Sequence, residues 1–428
     1  MSIFRRSKKF EASKGAGIAQ DMELAIPTHF RCPISLDLMK DPVTLSTGIT
    51  YDRENIEKWI EMGNSTCPVT HQVLLTFNQI PNHTVRKMIQ DWCVANKSCG
   101  VERIPTPRIP ATPNKVAAIC SRIEVAMRNG DRSKCRELLE KIEDLAKEDA
   151  SNKRCLAKNG IGYALVNMFE SFAHYYNTSN DVHLKEILSA LTWVLPLDKR
   201  VISKLNSDLS LRTMTQILKR ENDLSLKQDT VLVLNEVVSV DQDSLEVLMR
   251  INEDIEDILF HVIKSPISPN ATTATLAIIH RIIISSSPEQ SAARFVQMGL
   301  IPLILELLVD CDKSLCEKGL AVIDSMCCHK DDRESACDNA LTIPLLVKKV
   351  LTVSTAATEA AVSTLRKLCF GENKNVMLEA MKFGAFQKLL VVLQMDVGEG
   401  TKANVTQLLK LMNNVHRHDF DYCFDSLY

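Results

Sequence analysis

Cys32-Pro33-Ile34-Ser35, followed by Met39-Lys40-Asp41-Pro42-Val43-Thr44 and by Gly48-Ile49-Thr50-Tyr51-Asp52-Arg53, is the stretch on which the reading of this 428-residue chain turns. It predicts a loop and then two short β-branched strands that reverse at Thr47-Gly48. Asp52 stands where an N-cap is needed, and Ile56, Trp59 and Ile60 fall on one face of the helix that follows, which Gly63-Asn64 ends. A second loop carries Cys67-Pro68-Val69-Thr70. Asn82, after Ile80-Pro81, then caps a second helix with Val85, Met88, Ile89 and Trp92 on its apolar side. The outline of residues 26–97 is loop, hairpin, helix, loop, helix.

Outward from this unit the composition changes twice. The first 20 residues carry Arg5, Arg6, Lys8, Lys9 and Lys14 against Glu11, and residues 1–25 read as a basic, solvated arm. Residues 98–113 carry Pro105, Pro107, Pro110 and Pro113, which interrupt regular structure and mark a linker; as polyproline II it would extend about 50 Å. From 114 to 428 the chain reads as successive helices, with apolar residues at intervals of three and four. Stripes begin at Gly160, Leu209, Glu253, Gly299, Leu341 and Gly384, so the spacings are 49, 44, 46, 42 and 43 residues. That period fits armadillo- or HEAT-type repeats, in which each helix pair buries its stripe by stacking on its neighbours. Gly299 ends one helix in a left-handed turn, Pro302 fits the first turn of the next, and Ser287 with Gln290 reads as a capping box upstream. A non-repetitive helical bundle is the competing architecture.

Bulk properties exclude several classes. Lys and Arg number 51 against 53 Asp and Glu, so no uniform positive field attracts nucleic acid. The most apolar run, Leu276 to Ile284, is broken by His280 and Arg281 and is too short to span a bilayer. No secretory h-region follows the basic arm, and Ser2 stands where myristoylation needs Gly, so the expected location is the cytosol, with the 14 cysteines reduced. A pair of cross-braced zinc sites needs eight closely paired ligands. Cys32, Cys67 and Cys93 are far apart, no Cys-x-x-Cys occurs, and His29, His71 and His83 complete no cluster, so these six read as packing or surface groups and no cofactor is expected.

The motifs at Cys32, Met39 to Val43, Gly48 to Arg53, Cys67 to Thr70 and Ile80 to Asn82 resemble the U-box, a RING-like fold that keeps its shape without zinc. Together with the Pro-rich linker and the helical array, the chain resembles the plant U-box/armadillo E3 ubiquitin ligases, including the subgroup linked to pathogen responses. The fold class is then mainly α: a small α+β U-box followed by an α-solenoid. The resemblance implies a partner, a ubiquitin-charged conjugating enzyme, docked in a groove of the first loop, the central helix and the second loop. Here those positions hold Ile34, Leu36, Trp59 and Pro68. It also implies that Tyr51, Asp52 and Asn82 support the fold. His71 stands where many RING-type ligases place Arg or Lys to bridge conjugating enzyme and ubiquitin, and an imidazole offers less than a guanidinium fork. A protein substrate on the array completes the picture, with self-association left open.

Other readings compete. Trp59 and Ile34 fill the core instead of an interface in one of them. Cys32 or Cys67 serves as a covalent nucleophile beside a His in another, against which the Cys-Pro context argues. In a third, the U-box is inactive and the chain is an armadillo scaffold.

Overall fold

The computed structural model describes residues 26–74, 76–104, 111–148, 150–174, 182–220, 223–240, 242–285, 288–328, 330–369 and 374–425. The basic arm, Pro105, Pro107, Pro110 and the capping residue Ser287 lie outside them. Contacts divide the chain into two compact units, Met1–Ile109 and Pro110–Tyr428.

In the first unit, strand β1 (Pro42–Thr44) pairs antiparallel with β2 (Thr50–Asp52) and on its other edge with β3 (Ile80–Pro81), giving the order β2-β1-β3. The hairpin reverses through Gly48 at φ +79°, a conformation that glycine adopts without a Cβ clash. Helix α1 (Arg53–Glu61) leaves the end of β2, and α2 (His83–Ala95) follows β3. Alternation along the strands puts Val43 and Tyr51, paired across β1 and β2, into the core, where both are fully buried. Ile56 and Ile89 bring the two helices to the same core. Met88, assigned to the apolar stripe of α2 by its spacing, is instead 45% exposed. Its place on the inner face is taken by Arg86, a buried cation three residues before Ile89.

The linker does not begin where composition changes. Lys97–Cys99 form a short 3-10 turn after α2, and Ile104 is buried in the same core as Phe30 and Tyr51. Pro113, read as part of the linker, is the first residue of helix α3 (Pro113–Arg128). The Thr112 hydroxyl accepts the Lys115 N–H there, so a proline without an N–H costs nothing at this position.

In the second unit α3 and α4 (Arg132–Glu148) precede six helix triplets. These are α5 (Ala150–Lys158), α6 (Ile161–Ala173) and α7 (Val182–Trp193); then α8 (Lys199–Leu205), α9 (Asp208–Arg220) and α10 (Leu224–Val240). Next come α11 (Gln242–Ile251), α12 (Ile255–Lys264) and α13 (Pro269–Ile283), followed by α14 (Pro288–Gln297), α15 (Leu300–Val309) and α16 (Lys313–Met326). The last are α17 (Lys330–Asp338), α18 (Thr342–Lys349) and α19 (Thr355–Leu368), then α20 (Lys374–Lys382), α21 (Ala385–Leu393) and α22 (Glu399–Asp425). Every stripe found in the sequence is the second helix of a triplet. The unit is three helices and not the expected pair, because the first member is short and often polar, as in Lys330-Asp331-Asp332-Arg333-Glu334 of α17.

The third helices stack in series from α7 to α22. Their starts are capped by short acceptors that periodicity does not reveal: Asp223, Ser268, Asp312 and Ser354 each take a backbone N–H two or three residues ahead. Where α16 meets α15, Gly319 lets the helices close, since a Cβ there would lie 2.8 Å from Leu308 Cδ2. The last two triplets are clasped by Lys388, whose ammonium donates to the carbonyls of Val347, Lys348 and Val350 at the C-terminal end of α18. They sit at a helix end, where intrahelical N–H donors run out, and a cation is the group that suits them.

Candidate functional site: two loops hung on one helix

Loop 1, Cys32 to Asp37, and loop 2, Cys67 to Gln72, have the same construction. In each, the Cys N–H donates to the carbonyl five residues on, Cys32 to Asp37 and Cys67 to Gln72, both at 2.8 Å. The residue four positions on returns an N–H to the Cys carbonyl, Leu36 to Cys32 at 2.8 Å and His71 to Cys67 at 2.9 Å. A single β-bridge closes each loop, Arg31 with Leu38 and Thr66 with Val73. The closure drives Leu36 to φ +63° and His71 to φ +58°, a left-handed conformation that ordinary side chains resist.

Helix α1 holds both loops from one face. Asn55 Nδ2 donates to Ser35 Oγ of loop 1 at 3.1 Å, and Trp59 Nε1 donates to the Thr66 carbonyl beside loop 2 at 2.8 Å. Asn55 and Trp59 are four residues apart and therefore lie one above the other. Asn64 Nδ2 caps the helix end through the Trp59 carbonyl. Ile34 and Trp59 are half-buried and pack on the core, Pro68 is half-buried, and Leu36 stands 67% exposed. Trp59 thus joins core, helix and loop 2 while keeping part of its ring at the surface.

The base of the site is a polar network. Asp52 precedes α1 but does not cap it: its Oδ1 accepts the N–H groups of Lys40 and Asp41, at 2.9 and 2.7 Å. Burial pushes this carboxyl above its usual range, and those two donors oppose the shift. Arg53 Nε reaches Asp41 Oδ2 at 2.7 Å, and the buried Arg86 donates to the Lys40 carbonyl at 2.6 Å. Asn82 performs the expected cap, taking the Val85 N–H, and its amide donates to the hydroxyls of Thr44 and Thr50.

A U-box domain model matches residues 26–98, and a model of the plant U-box protein ARM repeat region matches residues 115–426. The chain is 42% identical over 407 residues to U-box domain-containing protein 21 of Arabidopsis thaliana, covering 95% of this chain and 92% of that one. It is 31% identical to the Arabidopsis E3 ubiquitin-protein ligase PUB22, with 93% and 96% covered. The chain belongs to the plant U-box/armadillo E3 ubiquitin ligases. A crystal structure of an engineered protein, 14% identical, resembles the fold with a TM-score of 0.51 over 70% of this chain and 71% of its own.

In this U-box the cysteines that open the two loops are hydrogen-bond acceptors. Cys32 Sγ takes the Asp52 N–H at 3.3 Å, and Cys67 Sγ takes the Thr47 hydroxyl at 3.4 Å and lies 3.0 Å from the Tyr51 hydroxyl. Burial raises the Cys67 thiol, but hydrogen bonds from Thr47, Thr70 and Tyr51 outweigh it and bring the pKa to about 6. The Tyr51 hydroxyl moves the other way, upward, through its own burial and then the sulfur beside it.

The U-box also contains members that spacing alone passed over. Val69, 48% exposed, occupies in loop 2 the position of Ile34 in loop 1. The repeated Cys-Pro-x-Ser/Thr pattern at Cys32 and Cys67 was the signal for it. Asn55 and Arg86 had no such signal, since a polar residue inside a helix reads equally as solvated. His71 lies exposed at the closing turn of loop 2.

Proposed function

We propose that loop 1, α1 and loop 2 form the seat of a ubiquitin-charged conjugating enzyme, and that ubiquitin passes from it directly to a lysine of a substrate held by the array. The carrying observation is that Asn55 and Trp59 fix both loops to one helix face, which presents Ile34, Leu36, Trp59, Pro68 and Val69 on a rigid support. A few apolar anchors around an aromatic residue suit a small, transient interface. The substrate amine attacks the thioester carbonyl, the isopeptide bond forms, and the conjugating enzyme's thiolate leaves. The ligase contributes proximity and orientation. Both U-box cysteines near the loops are fully buried and already engaged as acceptors, which supports transfer without a ligase-bound thioester.

His71, displayed by the left-handed turn of loop 2, takes the bridging position toward ubiquitin in this reading. The cytosol is the compartment proposed, in keeping with free thiols throughout the described residues. A part in plant defence is carried by the resemblance to the pathogen-response subgroup.

The test is autoubiquitination with a panel of conjugating enzymes, ATP and activating enzyme, in parallel with Ile34→Ala and Leu36→Ala, with a chelator present. Ladders from the wild type that vanish in folded variants support the reading. A folded U-box that gives no ladder with any conjugating enzyme favours the inactive scaffold.

A further inference from the structure

The stacked third helices expose a row of half-buried pairs in equivalent positions, among them His280-Arg281 on α13, Asp324-Ser325 on α16 and Arg366-Lys367 on α19. Each pair lies between buried residues on both sides, so the row follows the surface of the stack.

The acids and the bases on α10, α13, α16 and α19 differ in how they are partnered. Asp229 is buried in α10. Glu236 accepts the Leu197 N–H at 3.2 Å, Glu317 lies 4.0 Å from Lys313, and Glu359 accepts the Gly398 N–H at 3.2 Å. Asp324 accepts from the Lys367 ammonium at 2.8 Å and the Thr364 hydroxyl at 3.3 Å. Every acid on these helices is therefore buried or engaged. Arg281, half-buried, and Lys318, exposed, have no hydrogen bond or ion pair among the described residues. Both act on one imidazole: burial lowers the basicity of His280, Lys318 and Arg281 lower it further, and Asp324 opposes them. A half-buried guanidinium without an acceptor, beside a second free cation, is poorly served by this chain alone.

We propose that His280, Arg281 and Lys318 form the seat for an acidic stretch of the substrate polypeptide, whose carboxylates or phosphates supply the missing acceptors. The inference rests on the reading that the array holds the substrate, and it names the chemical class of what is held.

Fluorescence anisotropy on the full chain tests this with labelled octapeptides of alternating Glu and Ser, of phosphoserine and Ala, of Lys and Ser, and with a single-stranded oligonucleotide. Binding of an acidic peptide is expected, weakened about tenfold by R281E/K318E and clearly weakened by R281Q/K318Q, which keeps side-chain bulk; it should also decline with added salt. The Glu and phosphoserine arms distinguish carboxylate from phosphate. Equal binding of the Lys peptide, preference for the oligonucleotide, or no response to charge reversal in a normally melting variant overturns the proposal. A lysine-bearing reporter fused to the acidic peptide separates the two claims. If the peptide binds but the reporter is not ubiquitinated while autoubiquitination persists, the substrate role of the array fails and the anion seat stands. Loss of autoubiquitination in the wild type would instead count against the U-box reading.

Discussion

Loop 1 and loop 2 of the U-box share one backbone and differ in what they put on it. Both close around a cysteine by the same pair of hydrogen bonds and both force a side chain into the left-handed region. Loop 1 displays Leu36 there and loop 2 displays His71. Loop 1 hangs from α1 by an amide to hydroxyl bond, whereas loop 2 hangs by an indole that is also part of the core. The cysteine beneath loop 1 meets backbone and amide donors, and the one beneath loop 2 meets hydroxyls. A common scaffold fixes position while the inserted side chain fixes chemistry, apolar in loop 1 and hydrogen-bonding in loop 2.

The largest difference should come from cutting the tethers. Trp59→Ala removes a packed ring and the bond to Thr66, and should cost about 3 to 5 kcal/mol and abolish the ubiquitin ladder, whereas Asn55→Ala should cost about 1 kcal/mol. Thermal unfolding of the U-box and ladder assays read both. If the two variants melt alike, loop 2 does not depend on the indole as argued.

A smaller effect separates the sulfurs. The folded Cys67 thiol is held at about 6, below its ordinary value of 9.0, so its contribution to stability is complete above about pH 9 and is lost as pH falls toward 6. Denaturant midpoints of the wild type should therefore rise from pH 6 to pH 9, and Cys67→Ser should flatten that slope. A slope that persists in Cys67→Ser places the titrating group elsewhere.

The left-handed residues give a double test. Leu36→Gly and His71→Gly should each relieve about 1 kcal/mol of backbone strain. Leu36→Gly should nevertheless lose most of the ladder, because the exposed leucine goes with the strain, while His71→Gly should retain more of it. Equal activities would mean the loops are interchangeable.

The smallest change is His71→Arg, which replaces one ring donor by a fork and should speed discharge of the charged conjugating enzyme several-fold at pH 8. An unchanged rate from pH 6 to 8 discards the bridging role.

Much of this was legible from the chain. The hairpin at Thr47-Gly48 and the Asn82 cap follow from residues whose preferences are local. The six stripes marked the second helix of each triplet, because apolar spacing survives where the neighbours are diverse. What stayed hidden was set at a distance. Asp52 looked like a cap, yet its carboxylate serves Lys40 and Asp41 across the hairpin. Leu36 has no preference for positive φ and is held there by loop closure. Arg86 lies in the core because Lys40 and Asp41 await it, a fact of tertiary pairing that spacing cannot carry.

The clasp made by Lys388 bears on which lysines of this chain ubiquitin could reach. Its amine is committed to three carbonyls, and that engagement withholds it from ubiquitin while the last triplet is closed, although burial lowers its basicity and so favours the free amine. In a map of self-modified lysines this position should stay blank under native conditions and fill only when the end of the array opens. A map of modified lysines read at this position would then report whether the end of the array is intact.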